Sequence, residues 1–257
     1  MIGPLVCLAY LRGYGRSSSP EDPQVYGIKN VAVDLAKLLD FLNLPCAVFV
    51  GHDWGGAIVW RMCLCHSERV LAVAIPQFSY MKFLSQSVEA AKALNAAPKR
   101  LFTATYRSPE EHEVDGVNVP YLEIFQGVAG SRDPMYTEHS VLFSEEELDV
   151  HAREYSRSGF KGSCNYYAVR AIDFKTENPL PRVIPHSALY IGAGADKLLK
   201  PEMAAHMPHF VPNLETALVK GSGHWLLWSH RNEVTEILLN WLGKVELGGG
   251  ASIEATP

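Results

Sequence analysis

The sequence has no apolar stretch near the roughly 18–20 residues that a membrane-spanning helix needs, so no membrane span is expected. It has no basic excess either. Lys plus Arg number 23 against 28 for Asp plus Glu, a formal net charge of −5. Nucleic acid and anionic membranes both want a basic face, so neither is an expected partner. Cysteine is scarce and odd in number, with Cys7, Cys46, Cys63, Cys65 and Cys164 sitting mostly in apolar runs. A secreted disulfide framework would be even and denser, so a reducing, cytoplasmic setting is expected. No internal repeat is present, and low complexity is confined to Gly248-Gly249-Gly250-Ala251-Ser252, within an expected flexible tail over 245–257. Ile2 to Tyr10 is apolar, but no basic segment precedes it and Arg12 and Arg16 follow. It reads as a buried strand rather than a signal peptide.

What remains is an ordinary globular composition, 257 residues with 47% hydrophobic and 20% charged. That length suits one large α/β domain with an insertion. Leu5–Tyr10, Cys46–Val50 and Val70–Ile75 are short, uniformly apolar runs. Between them, Ile28, Val31, Leu35, Leu38, Leu39 and Leu42 fall at helical spacing, and a second helix is expected from Trp54 to Cys65. Alternation of this kind predicts a parallel sheet covered on both faces. From about 77 to 182 the rhythm breaks into amphipathic helical segments rich in aromatics, with no convincing strand. Strands over Ser187–Gly192 and Glu215–Val219, a short helix over Glu202–Met207 and a closing helix over Asn232–Leu242 then complete the pattern. The expected architecture is a doubly wound core (1–77 and 183–244) interrupted by a helical lid (78–182).

Gly51-His52-Asp53-Trp54-Gly55-Gly56 lies where an apolar strand meets a helix. Small residues around a central nucleophile are the pattern of a nucleophile elbow, a tight turn that lifts one side chain above the sheet. The helix beginning at Trp54 aims its positive end at Asp53 and favours the ionised carboxylate. The Trp54 N–H is placed to serve as an oxyanion donor. The plainer reading, that Asp53 only caps a helix, does not call for glycines on both sides. Aspartate in place of serine decides the chemistry. A carboxylate displaces a leaving group from saturated carbon and becomes an alkyl ester, which water must then cleave with the help of a base.

That base is expected late in the chain, with its orienting acid between. Gly221-Ser222-Gly223-His224-Trp225 follows a strand and precedes the last helix, a context that singles out His224 among ten histidines. Asp196, in the loop Gly192-Ala193-Gly194-Ala195-Asp196, is the expected acid. Cys63-Leu64-Cys65-His66 suggests a metal site at first sight. Residues two apart on a helix diverge, however, so no metal and no cofactor is expected.

Taken together, Arg12-Gly13-Tyr14-Gly15-Arg16-Ser17-Ser18, the Asp53 elbow, Gly159-Phe160-Lys161-Gly162 with Asn165-Tyr166-Tyr167, Asp196 and Gly223-His224-Trp225 resemble the soluble-type epoxide hydrolases of the α/β-hydrolase superfamily. The resemblance runs as far as Leu242. It implies an α/β-hydrolase fold that turns a small apolar or aromatic epoxide and water into a vicinal diol. It also implies two lid tyrosines that hydrogen-bond the epoxide oxygen, since a phenol is a donor at neutral pH. Tyr167 matches the tyrosine of the family's Asn-aromatic-Tyr motif. Tyr121 is the expected companion, with Tyr155 in reserve, and Trp54, Tyr155, Phe125 and Trp225 are expected to line the substrate site. Simple lid packing is the competing reading for these tyrosines.

The family carries several dozen further residues before its Arg-Gly-Tyr-Gly loop, including a His-Gly-x-Pro turn that supplies a second oxyanion donor. Here the loop begins at Arg12, no histidine is followed by glycine, and Tyr10 stands where the family has Asp. The expectation is a core without those N-terminal strands. Two other functions compete: a dehalogenase-like hydrolase, in which Trp54 would help hold halide, and a low-activity or non-catalytic relative that binds apolar ligands. A homodimer is compatible with all three.

Overall fold

The structure, a computed structural model, describes residues 6–75, 84–85, 87–114, 117–118, 124–125, 128, 138, 140–196 and 199–245. In chain order the elements are α1 (Ile28–Phe41), β1 (Ala47–Val50), α2 (Trp54–Cys65), β2 (Val70–Ile75), α3 (Ser87–Asn95), α4 (Pro98–Thr105), β3 (Glu113–Val114), β4 (Val117–Asn118), α5 (Glu145–Ser158), α6 (Lys161–Ala168), α7 (Arg170–Glu177), β5 (Ser187–Ala193), β6 (Leu214–Val219), α8 (Leu226–Ser229) and α9 (Arg231–Leu242).

The main sheet has the order β1-β2-β5-β6 with every pairing parallel; Val48 lies opposite Ala72, Ala74 opposite Leu189 and Ile191 opposite Ala217. Consecutive parallel strands need crossovers, and α1 and α2 pack with Val59, Met62, Val73 and Ala188 on one face. On the other face α9 buries Val234 and Trp241 against Ala72, Ala74, Leu189 and Val219. This is a doubly wound core. All three candidate triad residues follow the carboxyl end of a strand, Asp53 after β1, Asp196 after β5 and His224 after β6. That is where open parallel sheets place their sites.

The chain between β2 and β5 supplies α3 to α7. The longest, α5, opens with a capping box in which Ser144 Oγ accepts from the Glu147 N–H and Glu147 accepts from the Ser144 N–H. It stops at Gly159, whose φ of +67° a side chain would resist. Helix α6 lies hard against the core loop. A Cβ on Gly162 would fall 2.5 Å from Gly13 Cα, so only glycine permits this approach. Tyr166 then donates from its hydroxyl to the Arg12 carbonyl at 2.9 Å. From α7, Asp173 accepts the Ile28 N–H at the start of α1, and Glu177 takes a bidentate ion pair from Arg61 on α2.

Four expectations are corrected. Residues 6–10 are not a strand: Val6 and Leu8 are 80% and 93% exposed, and the run pairs with no described strand. An apolar run becomes a buried strand only when a sheet edge and a covering layer receive it. For the same reason β1, at the end of the described sheet, is only half-buried and ends on an exposed Val50. The segment expected to lack strands contains the β3–β4 antiparallel pair; Asp115-Gly116 between them is a hairpin signal. The helix expected over Glu202–Met207 is instead two 3-10 turns, Pro201–Ala204 and Met207–His209. Pro208 has no N–H to carry an α-helix through that point.

Candidate active site

The turn from β1 into α2 is bent sharply enough to force Asp53 to φ 54° and ψ −121°, a conformation that a residue with a side chain adopts only when its surroundings impose it. Gly51 makes room for the bend, because a Cβ there would lie 2.3 Å from the Gly55 carbonyl carbon. Asp53 Oδ1 receives the Trp54 N–H at 2.6 Å. Its other oxygen, Oδ2, faces His224 Nε2 at 3.5 Å. On the far side of the imidazole, Nδ1 meets Asp196 Oδ2 at 3.1 Å. Asp196 is fixed in turn by the Leu199 N–H on its Oδ1. With Nδ1–H donated to Asp196, Nε2 is turned toward Asp53. The three residues named from widely separated loops thus form one connected line.

Electrostatics follow from that line. Burial alone would pull the His224 pKa down, but Asp196 and Asp53 flank the ring and carry it up to about 9. Burial would raise the Asp53 carboxyl; hydrogen bonding and charge from His224, with the Trp54 N–H, outweigh it and hold the group below its ordinary value. The resting pair is therefore an imidazolium between two carboxylates.

His52, which the sequence presents only as one letter of the elbow, turns out to be part of this site. Its Nε2 lies 3.0 Å from the His224 carbonyl oxygen, and its ring centroid is 4.9 Å from that of His224. Burial, and then the charge on His224, lower its pKa to about 4. A neutral His52 donates to that carbonyl and braces the His224 loop. Its position just before Asp53 on a tight turn was the available signal.

Asp53 opens onto a cavity of about 390 Å³. Trp54, Gly55 and Trp225 line it near Asp53 and His224, Tyr155 and Tyr167 come from α5 and α6 with Phe160 from the link between them, and Leu101, Phe102 and Phe125 form an apolar wall. Tyr167 sits edge-on to the Trp54 ring at 5.0 Å. Tyr155 is stacked on Phe160 at 4.9 Å and edge-on to Tyr14 at 6.0 Å, which fixes its direction. Burial first, and the Asp53 charge second, push its phenol pKa up, so it stays protonated. Among the described residues its hydroxyl has no hydrogen-bond partner. The Trp225 ring donates from Nε1 to the Thr105 carbonyl, tying the His224 loop to α4. Tyr14, which the sequence offered only as part of the Arg-Gly-Tyr-Gly loop, is a further wall residue. Tyr121 lies outside the described residues.

Residues 6–77 match the family model of the alpha/beta hydrolase fold. The chain is 31% identical over 255 residues to the bifunctional epoxide hydrolase 2 of Rattus norvegicus, an alignment covering 90% of this chain and 45% of that protein. It is 29% identical to epoxide hydrolase A of Mycobacterium tuberculosis, over 92% of this chain and 81% of that one. The crystal structure of epoxide hydrolase A from Mycobacterium thermoresistibile superposes with a TM-score of 0.77 at 26% identity, covering 92% of this chain and 82% of that chain. The chain thus spans less than half the length of the rat relative but most of the mycobacterial ones. Among the described residues, no helix is long and apolar enough to cross a membrane.

Proposed function

From the premise that this chain belongs to the α/β-hydrolase superfamily and that its relatives there are epoxide hydrolases, we propose that it hydrolyses an uncharged, apolar or aromatic epoxide to a vicinal diol. The observation that carries the reading is the carboxylate at the elbow: Asp53, rather than a serine, stands 3.5 Å from the triad imidazole and faces an apolar cavity.

Asp53 Oδ2 attacks one ring carbon from behind. The carbon–oxygen bond breaks, and its electron pair moves to the ring oxygen, which takes a proton from a lid phenol. Tyr167 and Tyr155 both line the cavity, and we assign them this role, with 78–182 as the lid that carries them. A phenol held protonated stabilises the alkoxide only as it forms, which is where donation lowers the barrier. In the resulting ester Oδ1 is the carbonyl oxygen. Alkylation neutralises Asp53 and removes one of the two charges that raise the His224 pKa, so the imidazolium gives up its Nε2 proton, which restores the phenol, and the free Nε2 then takes a proton from water. The hydroxide adds to Cγ of Asp53, and the negative charge collects on Oδ1, where the Trp54 N–H already points. Collapse of this intermediate breaks the Cγ–Oδ2 bond and frees the diol, while the imidazolium returns its proton. Asp196 holds the ring in place throughout. We place the protein in the cytoplasm, consistent with five unpaired cysteines.

One turnover with styrene oxide in ¹⁸O-water tests the reading. Water attacks Asp53, so the first diol formed should be unlabelled and the label should reside in the Asp53 carboxyl, detectable in the proteolytic peptide. Label in the first diol would mean direct attack of water on the epoxide, and no diol at all would refute the function.

A further inference from the structure

Tyr106 caps the C-terminus of α4 and lines the cavity, though nothing in the proposed reaction uses it. The residue is buried, and its ring is held from three sides: stacked on Phe143 at 4.5 Å, edge-on to Trp225 at 4.2 Å and edge-on to His151 at 5.3 Å. Phenylalanine would make every one of these contacts. What tyrosine adds is a hydroxyl, and among the described residues that hydroxyl has no hydrogen-bond partner. A buried phenol ordinarily finds one, because an unmet donor costs free energy. The oxygen lies deep, since burial is the first cause that raises its pKa well above the ordinary phenol value. It is nevertheless absent from the described side-chain atoms that are both sealed off and unpartnered. A deep, unbonded atom that still touches open space touches the cavity its residue lines, so the hydroxyl opens onto it.

Its place relative to Asp53 separates it from the phenols already assigned. The Asp53 charge helps raise the Tyr155 phenol, whereas the one charge that bears on Tyr106 is that of Tyr155. A Coulomb effect fades with distance, so the Tyr106 hydroxyl lies farther from Asp53 than the Tyr155 hydroxyl does. We propose that the Tyr106 hydroxyl is a subsite that donates a hydrogen bond to an uncharged acceptor, a carbonyl or ether oxygen, carried on the substrate's tail several bonds from the oxirane. The occupant must accept, because a protonated phenol presents its proton. It must be uncharged, because the burial that keeps the phenol neutral penalises an anion as well. The proposal rests on the epoxide-hydrolase reading above and refines it to an apolar body bearing one polar oxygen. The test separates the two.

The experiment takes terminal epoxides whose alkyl chain carries a ketone about two to five carbons from the ring, each paired with the alkyl epoxide of equal length. For every pair the ratio of kcat/KM, ketone to alkyl, is measured in the wild type and in Tyr106→Phe. At the chain position that reaches the hydroxyl, the ratio should fall roughly 2–12-fold in the variant, the worth of one neutral hydrogen bond. The fall should come through KM, since Tyr106 is remote from the reacting atoms. No fall at any position, or the same fall at every position, would reduce the hydroxyl to general polarity and overturn the subsite. A lower melting temperature for ligand-free Tyr106→Phe would overturn it as well, because the hydroxyl would then be bonded within the protein. Should the wild type open none of these epoxides, the functional reading fails, and the subsite is judged on unreactive cyclopropane analogues of the same pairs. Quenching of tryptophan fluorescence then reports binding. A loss of affinity confined to the ketones in Tyr106→Phe would uphold the subsite, and equal losses would reject it.

Discussion

Raising the pH from 6.5 to 9 should strip this protein of roughly 3 kcal/mol of folding stability through His224 alone. The ring titrates near 6.5 in an unfolded chain and at about 9 in the fold, where Asp196 and Asp53 stabilise the imidazolium against the cost of burial. A base whose pKa is raised on folding contributes fully below its unfolded value, and loses that contribution as pH climbs through the folded one. Two and a half units at about 1.4 kcal/mol each make about 3.5 kcal/mol in full, and roughly 3 kcal/mol of it is lost inside the window, since the titration runs a little past both ends. His52 does not interfere in this window, because its pKa is lowered to about 4 and its linkage lies between that value and 6.5. Asp173, raised to about 6 mainly by burial, is likewise complete below the window. The assay is urea unfolding at half-unit steps of pH, wild type against His224→Gln, so that cysteines and other late-titrating groups cancel in the difference. Parallel pH slopes for the two proteins would refute the picture of an imidazolium held between two carboxylates. A kinetic counterpart follows from the same charges. Esterification neutralises Asp53, so the pKa governing diol release should lie below the 9 of the resting chain.

His224→Gln should still open the epoxide but fail to activate water, and intact-protein mass spectrometry after exposure to substrate should find an adduct of substrate mass. Tyr155→Phe and Tyr167→Phe should each slow single-turnover alkylation, and the double variant by at least about 10²-fold, the usual worth of a positioned proton donor; an unchanged double variant would reduce both to packing. Asp53→Gly should abolish turnover yet raise stability by about 1–3 kcal/mol when unfolding is measured at pH 9, since glycine relieves the φ of 54° and His224 no longer draws on the ion pair. Gly162→Ala should cost about 1–3 kcal/mol by forcing α6 off the Gly13 loop, and should lower kcat along with it because Tyr167 rides on that helix.

Much of this was legible in the residues themselves, for a physical reason: local interactions write local patterns. Helix α2 was bounded correctly at Trp54 and Cys65, and β2 at Val70 and Ile75, because uniform apolarity and the Gly-rich junction are properties of a few neighbouring residues. Asp53 was legible because a tight elbow needs Gly51, and a carboxylate there is what the proposed reaction requires. His224 and Asp196 were legible from the loops they occupy after β6 and β5. What the sequence could not carry was anything that depends on which surface meets which. The apolar run 6–10 looked like a strand, yet in the fold it lies exposed, since strand formation is a property of a partner edge and not of the run. The dependence of α6 on the glycine pair 13 and 162, 149 positions apart, is invisible along the chain. The same holds for His52, an unremarked letter in the elbow whose ring braces the carbonyl of a residue 172 positions away. Tyr155 stood only in reserve in the sequence; the stack on Phe160 and the field of Asp53 bring it forward, because a phenol becomes a candidate donor only when tertiary packing sets it in the wall of the cavity onto which Asp53 opens.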